Sequence, residues 1–419
     1  MDSTDSYGAK SIGALSHYRV LELGSLVAGP FCGSFLGDFG AEVIKVEQIE
    51  GDPIRAMGDR IQDKSLYAAS MMRNKKLISL DLKTPEAQKI ICELVTQCDI
   101  VIENFRPGVL EGWGLGYLDL KKINPKIIMA RVSGFGQEGP YSFRPGYGVI
   151  GEAASGLRHL IGEPDLPPSR VALPLTDYIA GMYAAMGVLI AVIHREHSGE
   201  GQCIDASLFE SAFSFLRSEV PSYDKLKKIA SRAGSRLPGH VPSNLYKTKD
   251  GGYIHISAAN SSLFRRLMKA IDQEKLADDP RFADPIERAK NEDVLDPIIA
   301  KWVRGKNLDE AESFLIQSDV VVSKIFTVED IFNDPHFKAR EMLPQVPDDE
   351  LNTLVLPGVV PKLSLTPGCI VRSGGKNGRD TNQVLMDYTS LTKEEILELS
   401  KRGIIKQAPI TKASSILPA

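Results

Sequence analysis

Through the first 217 residues, short apolar runs alternate with stretches whose apolar positions fall three and four apart, the two periods of strand and helix. Residues 18–23 read as a strand, 24–30 as a glycine-punctuated turn, 31–39 as a helix and 42–47 as a second strand. Strand, turn, helix, strand at this spacing is a βαβ unit and implies a parallel sheet. The alternation continues with a strand at 77–82, a helix at 84–97 and strands at 99–103 and 127–132. The loops leaving those last two strands, 104–108 and 133–140, contain glycine and proline. Open α/β sheets bind ligands at the carboxyl ends of their strands, so residues 103–106 and 133–139 are candidate site segments, although the same composition also makes ordinary turns. A helix at 148–159, a strand at 169–173 and a helix at 206–216 complete this half. The glycines at 24–29 do not spell GxGxxG, so the dinucleotide fingerprint is absent.

The longest apolar run follows Asp177. Sixteen residues, 178–193, carry no charge, and the run ends in His194, Arg195, His197 and Gly199. That is a helix with an acidic start, a basic last turn and a glycine stop. It is apolar nearly all round, which predicts burial. It falls short of the ~18 residues that would suggest a membrane span, and small residues interrupt it. Asp177 reads in two compatible ways. One is an N-cap, accepting hydrogen bonds from the first N–H groups. The other is a nucleophilic carboxylate, kept ionised by the helix N-terminus and presented at a cleft.

The periodicity changes near residue 218. Residues 218–242 are basic and polar without an apolar period, and read as a linker. Residues 246–256 read as a hairpin around Asp250-Gly251. Helices at 261–272, 285–304 and 308–317, a strand at 320–326 and a capping box of Thr327 with Asp330 follow. An irregular, proline-containing return begins after Pro344. The chain closes with a capping box of Thr392 and Glu395, a helix to Arg402, and Gly403 as its stop. The predicted organisation is a large α/β domain begun by residues 1–217, a linker at 218–242, a small α+β domain at 243–330, and a linker and return to the large domain at 331–419.

A length of 419 residues suits two or three domains. The net charge of −4 argues against a nucleic-acid binder. Five scattered cysteines (Cys32, Cys92, Cys98, Cys203, Cys369) form no CxxC pair and no zinc spacing, which points to a reducing compartment and no metal centre. The pair His194 and His197 has no acidic or cysteine cluster beside it and reads as last-turn capping. The polar, acidic start resembles neither a signal nor a transit peptide, so a cytoplasmic protein without a membrane segment is expected.

Set in order along the chain, several short motifs carry a family resemblance. They are Gly29-Pro30; residues 36–47, Leu36-Gly37-Asp38-Phe39-Gly40-Ala41-Glu42-Val43-Ile44-Lys45-Val46-Glu47; Gly51-Asp52 with Arg55; Arg73-Asn74-Lys75; and Leu80-Asp81-Leu82-Lys83. Further on come Glu103-Asn104-Phe105-Arg106-Pro107-Gly108, Ser133-Gly134-Phe135-Gly136-Gln137, Arg144-Pro145-Gly146-Tyr147, Asp177 heading its helix, Asp334-Pro335 with Arg340, and residues 378–404. Together these resemble the class III coenzyme A transferases, the formyl-CoA transferase and carnitine CoA-transferase family, which also contains α-methylacyl-CoA racemase. The resemblance spans nearly the whole chain.

The resemblance implies a Rossmann-like large domain with a parallel sheet, built from both chain ends, a small α+β domain, and an interlocked-ring homodimer. It implies that Asp177 is a covalent nucleophile: an acyl-aspartyl anhydride forms, then an aspartyl-CoA thioester, and the acceptor acid reverses the steps. Substrates would be an acyl-CoA and a small carboxylic acid, with coenzyme A arriving as a thioester substrate and no cofactor held permanently. Contacts to coenzyme A would come from Val27, Ala28, Leu80, Lys83, Asn104, Phe105, Arg106, Tyr147 and Gly148. Basic residues common in the family near the CoA phosphates are replaced here by Gln48 and Gly112, which leaves Arg55, Arg73 or Lys75 to supply charge.

Within the family, the racemase branch carries His-Asp where this chain has Tyr147-Gly148. Tyr147 has no pKa near neutrality and Gly148 no side chain, so racemisation is disfavoured, although it stays the alternative activity. Glu152, one helical turn on, is a candidate partner for Asp177 or a surface residue. The oxalate branch has a glycine-run loop, and residues 231–242 show none. Residues 147–158 more closely resemble enzymes that move CoA among dicarboxylic acids, such as the succinyl-CoA:glutarate type. Arg73 is the candidate for the distal carboxylate, since a guanidinium binds carboxylate bidentately. A non-catalytic CoA-binding protein is the remaining, non-enzymatic reading.

Overall fold

The structure, a computed structural model, describes residues 13–408. It divides into two compact units. The first comprises residues 1–157, 171–217 and 338–419, and the second residues 158–170 and 218–337.

The first unit is built on a seven-stranded sheet. Six of its strands are β1 (Arg19–Glu22), β2 (Glu42–Glu47), β3 (Lys75–Leu80), β4 (Ile100–Glu103), β5 (Ile128–Ser133) and β6 (Cys203–Ser207). They are all parallel and lie in the order β3-β2-β1-β4-β5-β6. A two-residue strand from the far end of the chain, Ile405–Lys406, adds antiparallel to β3. Period-2 alternation splits each central strand between two cores. Leu21, Ile44, Ile78, Val101 and Met129 face one apolar cluster. Val20, Val43, Ile100, Ile102, Ile128 and Ala130 face the other. A sheet buried on both faces needs near-continuous apolar strands, which is the pattern in the sequence. The strand order reverses between β1 and β4, and in doubly wound sheets ligands bind outside the carboxyl ends of the strands at that switch point.

Helix α1 (Ala28–Asp38) follows β1 directly, α2 (Gly148–Ala154) follows the loop after β5, and α3 (Leu175–Ser198) returns the chain toward β6. Ala180, Ala184, Ala185, Val188, Ala191 and Val192 of α3 pack into the same core as Cys32 and Leu36 of α1. By length and composition α3 could cross a membrane, but in this fold it is a core helix. Its burial is one-sided, contrary to the expectation from its composition: Met182, Met186, Ile190 and Ile193 form an exposed stripe. The second unit has a three-stranded antiparallel sheet, Ser243–Lys247, Tyr253–Ser257 and Val321–Lys324, over a core that includes Ile254, Phe264, Leu267, Ile299 and Leu315.

Several local expectations change. Residues 169–173 form no strand, and residues 206–216 are the end of β6 followed by a helix, Leu208–Phe213. The linker segment contains a helix, Glu219–Leu226, whose Val220, Tyr223 and Leu226 are all exposed. Both predicted capping boxes are present, on Thr327 with Asp330 and on Thr392 with Glu395.

Candidate active site

Asp177 is not an N-cap. Pro174 takes that position, and Asp177 lies in the first turn of α3, three residues further in than expected. A carboxylate there still meets the positive end of the helix dipole. Two glycines determine where it sits. At Gly148, the first residue of α2, a Cβ would stand only 1.9 Å from Asp177 Oδ2. The Thr176 hydroxyl donates to the Gly148 carbonyl at 2.7 Å and ties the two helix starts together. One turn beyond Asp177, a Cβ on Gly181 would stand 2.7 Å from the Ala28 carbonyl and 3.1 Å from the Phe31 ring. Only residues without a Cβ let α3 lie this close to α2 and to the start of α1.

Asp177 lines a cleft that also takes in Ser25, Leu26 and Ala28 after β1, residues 104–107 after β4, Ser133 and Gly134 after β5, and Arg144 and Tyr147. This is the switch point of the sheet. A second cleft is lined by Gln48, Leu80, Lys83, Phe105 and Trp113, among others, and shares Ser25 and Phe105 with the first. Each encloses, with its open mouth, about 840–850 Å³. Phe105 meets Trp113 edge-on at 5.5 Å, an apolar aromatic wall beside Lys83.

The predicted site residues therefore separate. Ala28, Asn104, Phe105, Arg106, Tyr147 and Asp177 converge on the first cleft, and Leu80, Lys83 and Phe105 on the second. Gly148 is the seat of Asp177, and Val27 is packed with Ile54 and Met71 just under the cleft. Asn104 contributes by bracing: its Oδ1 accepts from Ser25 N–H at 2.7 Å and its Nδ2 donates to the Ser25 carbonyl at 2.8 Å.

The structure does not bring Arg73 to either cleft. Its guanidinium donates to both oxygens of Asp38 and to the Pro357 carbonyl. The assignment of Arg73 to the substrate is corrected on that ground, since a bidentate, largely buried carboxylate partner already holds it. Lys75 is also unavailable to coenzyme A. It is fully buried, 2.7 Å from Glu22 and donating to the Pro30 carbonyl. Arg55 grips both oxygens of Glu47 at 2.6 Å and lines neither cleft.

Other residues stand close to the site. Tyr178 follows Asp177, and its hydroxyl lies 2.9 Å from that of Tyr67. Burial, the Tyr178 hydroxyl and the negative field of Asp177 push the Tyr67 phenol up, so it keeps its proton as a hydrogen-bond donor. Arg144 lines the cleft with its guanidinium 3.6 Å over the Tyr141 ring. Glu103, at the end of β4, accepts from Phe105 N–H and from Arg131, both at 2.7 Å, and burial pushes its carboxyl up to about 7. Tyr67 and Tyr178 sit in ordinary helical stretches, and nothing local in the sequence marks them.

The family model described as CoA-transferase family III matches residues 15–381. A succinyl-CoA–D-citramalate CoA-transferase of Chloroflexus aurantiacus is 42% identical over 93% of this chain and 98% of its own. The human succinyl-CoA:glutarate CoA-transferase is 32% identical over 95% of this chain and 91% of its own. The crystal structure of a CAIB/BAIF family protein from Brucella suis superposes with a TM-score of 0.80 at 31% identity, covering 90% of this chain and 99% of that one. The chain belongs to CoA-transferase family III and is a class III CoA-transferase enzyme.

Proposed function

We propose that the enzyme moves coenzyme A from succinyl-CoA to a second dicarboxylic acid, with Asp177 as the nucleophile. The observation that carries this reading is the placement of Asp177: a carboxylate on the first turn of α3, seated on Gly148, in the cleft at the switch point of the sheet. Attack of Asp177 on the thioester carbonyl releases CoA thiolate and leaves a mixed anhydride. The thiolate then attacks the aspartyl carbonyl, which forms an aspartyl-CoA thioester and releases succinate. The acceptor carboxylate attacks that thioester and expels the thiolate again, and the thiolate takes the acceptor acyl group and restores Asp177. Splitting the exchange avoids a step in which donor, acceptor and CoA must meet at once.

The shared wall of Ser25 and Phe105 supports a long substrate laid across both clefts. Its thioester end lies near Asp177, and its nucleotide end meets Phe105, Trp113 and Lys83. With Arg73 and Lys75 committed elsewhere, the cationic residues lining the first cleft are Arg106 and Arg144. We assign Arg106 to coenzyme A and Arg144, stacked and pre-oriented on Tyr141, to the free carboxylate of the diacid. The choice of a diacid follows the two relatives, whose acceptors, D-citramalate and glutarate, both carry a second carboxylate. Gly148 speaks against racemisation, because any side chain there would collide with Asp177. The exposed apolar stripe on α3 is the kind of surface a partner covers, in keeping with a homodimer.

The test is a screen of succinyl-CoA against mono- and dicarboxylic acids, with products read by mass. Transfer favouring diacids is the expected result. Rapid exchange of the α-proton of a 2-methylacyl-CoA for deuterium, independent of acceptor, would replace the transferase reading with the racemase.

A further inference from the structure

Three consecutive residues at the mouth of the first cleft have their backbone tied to side chains from elsewhere in the first unit. The Gly24 carbonyl accepts from Lys45 Nζ at 2.7 Å. The Ser25 N–H and carbonyl are both held by Asn104. The Leu26 N–H donates to Asp52 Oδ1 at 3.0 Å. Leu26 itself has a φ of 65°. That is the left-handed region, which a residue with a Cβ enters at a cost and glycine enters freely. Such strain persists only where the surroundings over-determine it, and it gathers at functional sites.

The surroundings here are buried charge. Asp52 is 3% exposed and its Oδ2 lies 2.9 Å from Lys45 Nζ. Lys45 is fully buried and lies 3.1 Å from Glu22, which also pairs with Lys75 at 2.7 Å. Burial works against both charges. Asp52, Glu22 and Glu47 nevertheless hold the Lys45 ammonium in its charged form. Lys45 and the N–H groups of Ile54 and Leu26 hold the Asp52 carboxyl below the usual carboxylate range. Gly33 on α1 leaves room for this cluster, since a Cβ there would stand 1.9 Å from Glu22 Oε2. Four buried acidic and basic side chains, Glu22, Lys45, Asp52 and Lys75, thus lie under one strained turn, and that turn runs straight into α1 and forms part of the wall of the Asp177 cleft.

We propose that Asp52 is a positioning residue for the transfer reaction. Through the Leu26 N–H it holds the turn between β1 and α1 in its left-handed form, and with it the wall of the cleft, formed by Leu26 and Ala28, that faces the reacting groups. Lys45 acts one step behind, fixing the Asp52 carboxylate and the Gly24 carbonyl together. The proposal rests on the transferase reading above, and it does not depend on which residue is the nucleophile.

The test is a series at position 26, assayed for kcat and KM with succinyl-CoA and D-citramalate alongside urea denaturation. Glycine removes the side chain yet favours the left-handed form, whereas valine keeps more side chain and resists that form. Leu26→Gly should therefore keep a kcat about tenfold or more above that of Leu26→Val. A role in packing alone predicts the opposite order. Asp52→Ala should lower kcat by about tenfold to a hundredfold, with Asp52→Asn milder because its amide oxygen still accepts from Leu26 N–H. Adding Leu26→Gly to Asp52→Ala should recover about fivefold or more, since the turn then needs no brace. A valine variant as fast as the glycine variant, or a double variant no faster than Asp52→Ala, overturns the proposal. If Asp52→Ala does not fold, the position-26 order decides alone. Activity surviving in Asp177→Asn would instead count against the nucleophile and leave this test standing.

Discussion

Replacing Gly148 with alanine adds a single methyl group at the point where the structure has least room. The new Cβ would lie 1.9 Å from Asp177 Oδ2 and 3.0 Å from Thr176 Oγ1. Restoring an ordinary contact of 3.4 Å requires a shift of about 1.5 Å (3.4 − 1.9), shared between the carboxylate and the start of α2. A displacement of that size at a reacting group costs roughly a hundredfold in rate, or about 2.7 kcal/mol in the barrier. Overpacking also costs stability, typically about 1–3 kcal/mol, so the kinetic effect needs a reference. Gly187→Ala on α3 provides one, because its Cβ would meet the Ile204 side chain at 2.8 Å, away from Asp177. Both variants should lose comparable stability in urea denaturation. Only Gly148→Ala should lose kcat per folded molecule, by roughly a hundredfold. If Gly148→Ala keeps a kcat within about fivefold of the parent, the seat of Asp177 does not set its reactive position and the geometric argument fails.

Two further predictions follow from charges in the first unit. Arg73→Lys breaks the bidentate pair with Asp38 and should cost about 1.5–3 kcal/mol of stability with little change in KM, whereas Arg144→Gln should raise KM for diacids about tenfold or more and leave monoacids alone. The reverse pattern, read in steady-state kinetics and urea melts, would return the distal carboxylate to Arg73. The Glu103 carboxyl is raised by burial to about 7 from an ordinary 4.5. The folded state therefore binds the extra proton, and the stability this group contributes is full below the ordinary value and is lost as pH rises through about 7. Glu103→Gln should remove that dependence, so that its stability changes less between about pH 5 and about pH 8, by on the order of 3 kcal/mol. Parallel pH profiles for the two proteins would assign Glu103 an ordinary pKa.

The parallel sheet was legible because strands buried on both faces need adjacent apolar residues, and β1 to β5 each have them, as in Val20-Leu21, Val43-Ile44, Leu77-Ile78, Ile100-Val101-Ile102 and Ile128-Met129. The last strand, β6, is a short edge strand whose first three residues, Cys203, Ile204 and Asp205, are not buried; the sequence assigns them to no element and reads only its end, Ala206 and Ser207, as the start of a helix. The helix Glu219–Leu226 was missed for another reason: its apolar residues are spaced as in a helix but lie in a basic, polar segment and are not buried. In the candidate site, β1 and β4 deliver Ala28 and Asn104 to the switch point by topology alone, so their position follows from the strand pattern. Charge partners were not legible. Asp38 lies 35 residues before Arg73 and Glu22 lies 53 before Lys75, and only the fold brings them together. The same holds for Tyr67, which reaches Tyr178 across 111 residues of sequence.

The central claim is that Asp177 becomes covalently acylated. The direct measurement is peptide mapping by mass after mixing the enzyme with succinyl-CoA alone and quenching with hydroxylamine, for the parent and for Asp177→Asn. The account predicts a hydroxamate on the peptide that carries Asp177 in the parent. It predicts a folded Asn variant without that adduct, its turnover lower by about 10⁴ or more, equivalent to over ~5 kcal/mol in the barrier. An Asn variant that still transfers CoA, with its mass showing no return to Asp, or an adduct on a different peptide, would contradict it.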